Sequence, residues 1–137
     1  QPTRGCTVNG VAKRLCQGTA RGDQIFGTRR ADVIFGLDGN DRINGLGGND
    51  LICGGKGNDI LRGKQGRDRV FGGPGDDNLQ GGSGNDQLSG EGGKDWLIGD
   101  HGDDALDGGA EPDKCQGGAN GPSGDTATNC ETVFGVP

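Results

Sequence analysis

Residues 18–116 read GTARGDQIF, GTRRADVIF, GLDGNDRIN, GLGGNDLIC, GGKGNDILR, GKQGRDRVF, GGPGDDNLQ, GGSGNDQLS, GEGGKDWLI, GDHGDDALD and GGAEPDKCQ, eleven nonapeptides with no insertion or deletion. Glycine opens every block. Aspartate holds the sixth position throughout, as Asp23, Asp32, Asp41, Asp50, Asp59, Asp68, Asp77, Asp86, Asp95, Asp104 and Asp113. The eighth position is Ile25, Ile34, Ile43, Ile52, Leu61, Val70, Leu79, Leu88, Leu97, Leu106 and finally Cys115. Such a block has a glycine-rich half able to take the positive φ of a tight turn, and a three-residue half able to run as a short strand. Alternation along that strand turns position eight inward and positions seven and nine outward.

Two blocks then close one coil of about 18 residues, and successive coils stack as parallel sheets at roughly 4.8 Å. Blocks i and i+2 lie over one another. Along one rim this stacks Asp23, Asp41, Asp59, Asp77, Asp95 and Asp113; along the other, Asp32, Asp50, Asp68, Asp86 and Asp104. Carboxylates held that close repel unless a cation sits between them. Calcium suits the position, being a hard ion that takes 6 to 8 oxygen ligands at about 2.3 to 2.6 Å and accepts backbone carbonyls. The turn supplies carbonyls near the fourth-position glycines Gly39, Gly48, Gly57, Gly66, Gly75, Gly84, Gly93 and Gly102.

The two rims offer up to nine slots, about six of them strong. The weaker ones involve blocks whose fourth position is Arg21, Arg30 or Glu111, the last stiffened by Pro112. Arg21 and Arg30 are expected to set a fixed positive charge where the ion would sit, freeing the first coil of metal.

The pattern Gly-Gly-x-Gly-x-Asp-x-aliphatic-x resembles the RTX, or hemolysin-type, calcium-binding nonapeptide repeat. The resemblance implies an all-β, right-handed parallel β-roll with two short strands and two calcium-binding turns per 18-residue coil. It also implies Ca2+ as the bound ion and the eleven sixth-position aspartates as its side-chain ligands.

Composition agrees with a metal-dependent fold. The chain has 137 residues, 33 glycines, four phenylalanines, one tryptophan and a net charge of -6. One inward aliphatic per block is too little burial to order a chain otherwise read as disordered, so ion binding must form part of the folding free energy. Loaded with calcium, the surface becomes weakly basic; glycans are conceivable partners and nucleic acid is not favoured. No membrane-spanning run occurs.

Two end caps flank the repeat, at residues 1–17 and 117–137. The first contains Cys6 and Cys16 and is expected to lay Val8, Val11 and Leu15 over the core; in the second, Cys130 follows Cys115 by fifteen residues. Locality favours the bridges Cys6 to Cys16 and Cys115 to Cys130, and bridges point to a secreted, extracellular or cell-surface setting. Cys53 is left over, outward at position nine, with Phe35 and Phe71 in its column and Val33 and Leu51 beside them. That apolar patch reads either as cover for a free thiol beneath a terminal segment or as a self-association surface, with an intermolecular disulfide as one form of it.

Charge is lopsided as well, twelve basic and seven acidic side chains up to residue 70 against two and thirteen beyond it, which suits head-to-tail stacking. No nucleophile with an attendant base is legible, and His101, the only histidine, falls in a turn. The chain is therefore expected to be no enzyme but a calcium-folded structural unit, self-assembling into filaments or matrix. The alternatives are a monomeric adhesive or carbohydrate-binding module, for which Trp96 and Ile98 point outward, a folding appendage of a secreted enzyme, and an ice-binding surface. The last would need a regular Thr or Asn row that the third position lacks.

Overall fold

The computed structural model describes residues 5–12, 16–119 and 124–134. Sixteen strands follow in chain order, and no helix occurs among the described residues: β1 (Thr7–Val8), β2 (Val11–Ala12), β3 (Cys16–Gln17), β4 (Gln24–Phe26), β5 (Val33–Phe35), β6 (Arg42–Asn44), β7 (Leu51–Cys53) and β8 (Ile60–Gln65) come first. β9 (Arg69–Phe71), β10 (Asn78–Ser83), β11 (Gln87–Ser89), β12 (Trp96–His101), β13 (Ala105–Asp107), β14 (Lys114–Ala119), β15 (Thr126–Thr128) and β16 (Thr132–Phe134) complete them. They form two sheets, one ordered β16-β14-β12-β10-β8-β6-β4-β1-β2 and the other β15-β13-β11-β9-β7-β5-β3.

Within the repeat every pairing is parallel, and the register is the two-block period. Ile25 faces Ile43, Ile34 faces Ile52, Leu61 faces Leu79 and Leu79 faces Leu97. The protein is thus a parallel β-solenoid with the expected 18-residue coil. Its core is the single file of eighth-position side chains from each sheet, Ile25 through Leu106, none more than 2% exposed.

One difference from expectation concerns strand length. In the sheet of β8, β10, β12 and β14 the strands run six residues, carrying the ladder past the three-residue half into the next block. These longer strands run through a position-two residue with positive φ, as Lys64 at 76°, Gly82 at 100° and Asp100 at 74°, a turn that the three-residue strands share. Beyond it the N–H and C=O pair with adjacent rungs, as in Gly66 N–H to the Ser83 carbonyl at 3.1 Å.

The stack also runs further than the eleven blocks. Cys16 pairs with Ile34 in β3, one rung before Gly18. Past Gln116, β15 places Ala127 beside Leu106 and β16 places Val133 beside Cys115. The rung at β15 lies 21 residues beyond its neighbour instead of 18, so three additional residues hide it from a nine-residue register.

At the first end the chain caps itself with a hairpin. β1 lies antiparallel on β4, setting Val8 against Ile25, and β2 folds back on β1. The connecting pair is Asn9-Gly10, with φ of 51° and 79°, the turn whose twist matches two antiparallel strands. An outermost strand of two residues is a poor template for further pairing. Val8 is buried at 5%, but Val11 is 56% exposed because the hairpin turns it outward, contrary to its expected place over the core. Leu15 lies outside the described residues. Both bridges are formed, Cys6 to Cys16 and Cys115 to Cys130, with Cα atoms 5.6 and 5.9 Å apart.

Asn9 does three jobs in that cap. Its N–H donates to the Gln24 carbonyl at 2.7 Å, its side-chain oxygen accepts the Gln24 N–H at 2.8 Å, and its amide donates to Asp23 Oδ1 at 2.8 Å. Asn9→Ala should therefore destabilise the folded chain by about 1 kcal/mol, the net worth of the side-chain hydrogen bonds it removes. Hydrogen exchange would show protection lost first in β4, and equal protection at both ends would contradict this.

Candidate metal centres

The rims are built from loops whose glycines serve two separate needs. At position one the need is space. A methyl group on Gly54 would lie 2.6 Å from Asp59 Oδ2 and 2.8 Å from the Gly72 carbonyl oxygen, closer than side-chain carbons come to such atoms. At position four the need is both conformation and space. Gly57 and Gly75 have φ of 112° and 125°, and a side chain on either would strike the carbonyl one rung earlier, Gly39 and Gly57 respectively. Position two takes positive φ even where it is not glycine, as at Leu37, Leu46 and Glu91. Each such residue holds strain of order 1 kcal/mol.

These loops drive the sixth-position aspartates inward. Asp41, Asp50, Asp59, Asp68, Asp77, Asp86, Asp95, Asp104 and Asp113 are each at most 3% exposed. One carboxylate oxygen is fully used. Asp59 Oδ1 accepts the Asp41 N–H at 2.8 Å, Asp77 Oδ1 the Asp59 N–H at 2.7 Å, and Asp68 Oδ1 the Asp50 N–H at 2.8 Å, so each acid clips the rung before it. The stacking expected along both rims is the stacking observed.

The other oxygen has no partner. Oδ2 of all nine of these aspartates is buried without a hydrogen bond, the complete set of such side-chain atoms among the described residues. In most cradles the orphaned oxygen borders the same space above its block's position-one glycine as the carbonyl of the position-one glycine a coil later: Gly54 for Asp41, Gly63 for Asp50, Gly72 for Asp59, Gly90 for Asp77, Gly108 for Asp95 and Gly117 for Asp104. Those carbonyls were not singled out from the sequence, which directed attention to the fourth-position glycines.

Burial and then neighbouring carboxylates push these acids upward, the stacked aspartates for Asp41 and Asp50 and the loop acids Glu111 and Asp107 for Asp113. Asp41, Asp50, Asp86 and Asp95 rise to about 7, Asp77 to about 8, and Asp113 rises too. Burial alone takes Asp59 and Asp68 to about 6.

A row of buried, unpartnered carboxyl oxygens beside backbone carbonyls fits a hard cation that prefers oxygen and can displace the protons. Among the described residues no three His, Cys, Asp or Glu side chains converge on a point, so each ion must draw most of its ligands from backbone carbonyls, as calcium readily does. The family model for the RTX calcium-binding nonapeptide repeat (4 copies) matches residues 17–52, 54–88 and 80–114, more than half of the chain. The chain belongs to the RTX calcium-binding nonapeptide repeat family. No curated protein and no solved structure matches it. As an RTX β-roll it binds Ca2+ through its repeats.

The first coil solves its charge problem differently from expectation. Arg21 and Arg30 have exposed side chains and leave the cradle empty of guanidinium. The position-two threonines fill the role instead. Thr19 N–H donates to Asp23 Oδ2 at 2.6 Å and its hydroxyl lies 3.0 and 3.1 Å from the two carboxylate oxygens; Thr28 repeats this on Asp32 at 2.6, 3.0 and 3.0 Å. Each arginine contributes only its backbone, whose N–H donates to the threonine hydroxyl at 3.1 and 3.0 Å. For Asp23, burial pushes upward, but the Thr19 N–H, Asn9 and the Thr19 hydroxyl outweigh it and hold the carboxyl below its usual value.

Two further sets of residues escaped the sequence. Position five forms its own ladder in the opposite sense: Asn40 Oδ1 accepts the Asn58 N–H at 2.8 Å, Asn58 the Asp76 N–H and Asp76 the Lys94 N–H at 2.9 Å each. The recurrent Asn-Asp pair was its visible sign. Asp125 continues the second rim, accepting the Asp104 N–H at 2.8 Å, though it lies outside the nine-residue register.

The expected patch is assembled by register. Val33 pairs with Leu51, and Phe35 with Cys53, which in turn pairs with Phe71. His101 is exposed and Trp96 is 43% exposed.

Thr28→Val should remove the hydroxyl from the half-buried Asp32 carboxylate while leaving the backbone N–H in place, and lower the stability of the calcium-loaded chain by about 1 kcal/mol without changing the number of ions bound. A rise in calcium count on calorimetric titration would mean that threonine excludes an ion instead of replacing it.

The pH dependence has opposite signs in the two states. The folded acids titrate above the unfolded value of 3.8, so without metal the fold binds more protons than the unfolded chain and is more ordered near pH 5 than near pH 8. Calcium must displace those protons. Its affinity should weaken as pH falls from 8 to 6, with protons released on binding, and a pH-independent affinity would contradict the protonated rim.

Proposed function

We propose that this RTX chain is a secreted, calcium-folded structural unit of the cell exterior that associates with copies of itself through the outward face of β5, β7 and β9, without catalysis. The observation that supports this most is the exposed apolar strip. Val33 is 52% and Phe35 39% exposed, and Leu51, Cys53 and Phe71 extend the strip as partly buried neighbours. On a chain with so few large apolar residues, setting five outward in adjacent columns of one sheet costs hydration that a partner surface would recover. Two disulfides per chain support an oxidising, extracellular setting.

The association is noncovalent in this reading. Burial, and then the Glu91 carboxylate, push the Cys53 thiol upward against the opposing effect of Arg69, so the reactive thiolate is scarce at neutral pH. Arg69 also lies over the Phe71 ring at 5.8 Å, bordering the strip with a charge that favours one docking direction. The calcium load is the set of cradles with an orphaned acid oxygen, up to nine ions.

A second reading, a glycan-binding face, draws on Trp96 and Ile98, which line a groove with Ile60, Arg62, Asn78 and Gln80. The Lys114 ammonium stands 5.6 Å from the Trp96 ring centre and occupies a surface on which a sugar would stack.

Sedimentation in calcium should show reversible association that Phe35→Ser abolishes at unchanged secondary structure, while Cys53→Ser leaves it intact. A monomer at all concentrations, together with binding on a glycan array, would favour the second reading instead.

A further inference from the structure

The last cradle is built unlike the others. Asp113 Oδ2 is buried and unpartnered like its predecessors, with the residue 1% exposed, but the rung over it is not a repeat loop. The Gly108 N–H donates to the Thr128 carbonyl at 3.0 Å, as Gly90 does to Asp107 at 2.9 Å, which puts Asn129 where a position-one glycine belongs. The Glu131 N–H donates to the Asp113 carbonyl at 2.9 Å, as Lys114 does to Asp95, which makes Glu131 the seventh position. Between them stands a single residue, Cys130, in place of a five-residue segment.

The shortened rung still presents an oxygen to the acid. The Asn129 carbonyl and Asp113 Oδ2 lie against the same point above Gly108, the relation that the Gly72 carbonyl bears to Asp59 Oδ2 at Gly54. Asn129 takes φ of 53°, and its amide donates to Asp107 Oδ1 at 2.9 Å, which orients that carbonyl. Glu111 and Asp107 add negative charge around Asp113. With its loop gone, this rung lacks the clip that an aspartate one coil later would supply, and its covalent hold is the bridge from Cys130 to Cys115, two residues from Asp113 and fully buried.

We propose that Asp113 Oδ2 and the Asn129 carbonyl form a terminal hard-cation site whose integrity depends on the Cys115–Cys130 disulfide. The proposal rests on the calcium reading of the rims and concerns how the last of those cradles is completed by Asn129 and held by Cys130, which lie beyond the residues that the repeat family matches. Opening the bridge takes two electrons and two protons from an external dithiol, which leaves as its own disulfide, and gives two thiols; Asn129 is then free to leave the cradle and the ion goes with it. The chain completes its calcium load only where that bridge is oxidised.

Calcium binding is counted by titration calorimetry on the full chain, on Cys115→Val/Cys130→Ala, which keeps an apolar core residue, on Asp113→Asn, which keeps the Oδ1 acceptor, and on the triple variant. One ion fewer is expected in each variant, with no further loss in the triple. A full count in Asp113→Asn, a full count in the folded bridgeless chain, or a second ion lost in the triple overturns the proposal. Binding and release are reciprocal, so calcium must also protect the bridge. Alkylation of Cys115 and Cys130 after dithiothreitol should be slowed by calcium in the parent chain and not in Asp113→Asn, which decides the matter even if the bridgeless chain fails to fold; equal protection in both overturns it. A parent chain that binds no calcium at all would instead sink the reading of the rims.

Discussion

A carboxylate oxygen buried with no donor to meet it is the constraint on which the rest of this solenoid depends. Leaving one such atom stranded costs on the order of 1–3 kcal/mol, more when it is charged, and this chain repeats the arrangement every nine residues along both rims. The acid cannot swing away to find water, because its second oxygen is tied to the backbone N–H of the preceding rung. The same hydrogen bond that aligns the coils therefore fixes the unsatisfied atom in place. A divalent ion resolves both faults, supplying positive charge to the oxygen and spanning the gap between coils.

The glycines follow from that demand. Position one must be bare because any side chain would occupy the space between the acid and the carbonyl opposite it, and position four because the chain must turn left-handed under the carbonyl of the rung before. Beyond the first coil, position two takes positive φ even without glycine, at Leu37, Leu46, Lys64, Glu91 and Asp100, whereas Thr19 and Thr28 do not. Strain tolerated at so many equivalent places indicates that the loop shape is imposed by the stack and the ion, not by local preference.

The two ends show the same constraint met without a neighbouring repeat. At the start, threonine hydroxyls and amides satisfy Asp23 and Asp32, and Asn9 substitutes for the missing earlier rung on Asp23. The first coil is thus internally complete, a natural place for ordering to begin before ions fill the later coils. At the other end the rim passes to Asp125 and the closing rung is pinned by a disulfide.

Much of this was legible because it is periodic: the coil length, the inward file of aliphatics, the pairing of aspartates 18 residues apart and the local bridges all follow from one register. What escaped was whatever broke that register or acted through backbone atoms. The Asn9-Gly10 hairpin lay in a segment read only as a cap, and three extra residues before Asp125 concealed a rung. Thr19 and Thr28 carry no charge to mark them beside Arg21 and Arg30, yet the cradle is filled by their short hydroxyls, which reach a carboxylate four residues away.

Whether ions complete the core is tested most directly by circular dichroism with hydrogen exchange on the same sample in calcium and in excess EDTA at neutral pH. Protection is expected across β4 to β14 in calcium, with its loss in chelator sparing at most the first coil. A chain equally protected in both would show that the buried acids need no metal, and would contradict that expectation.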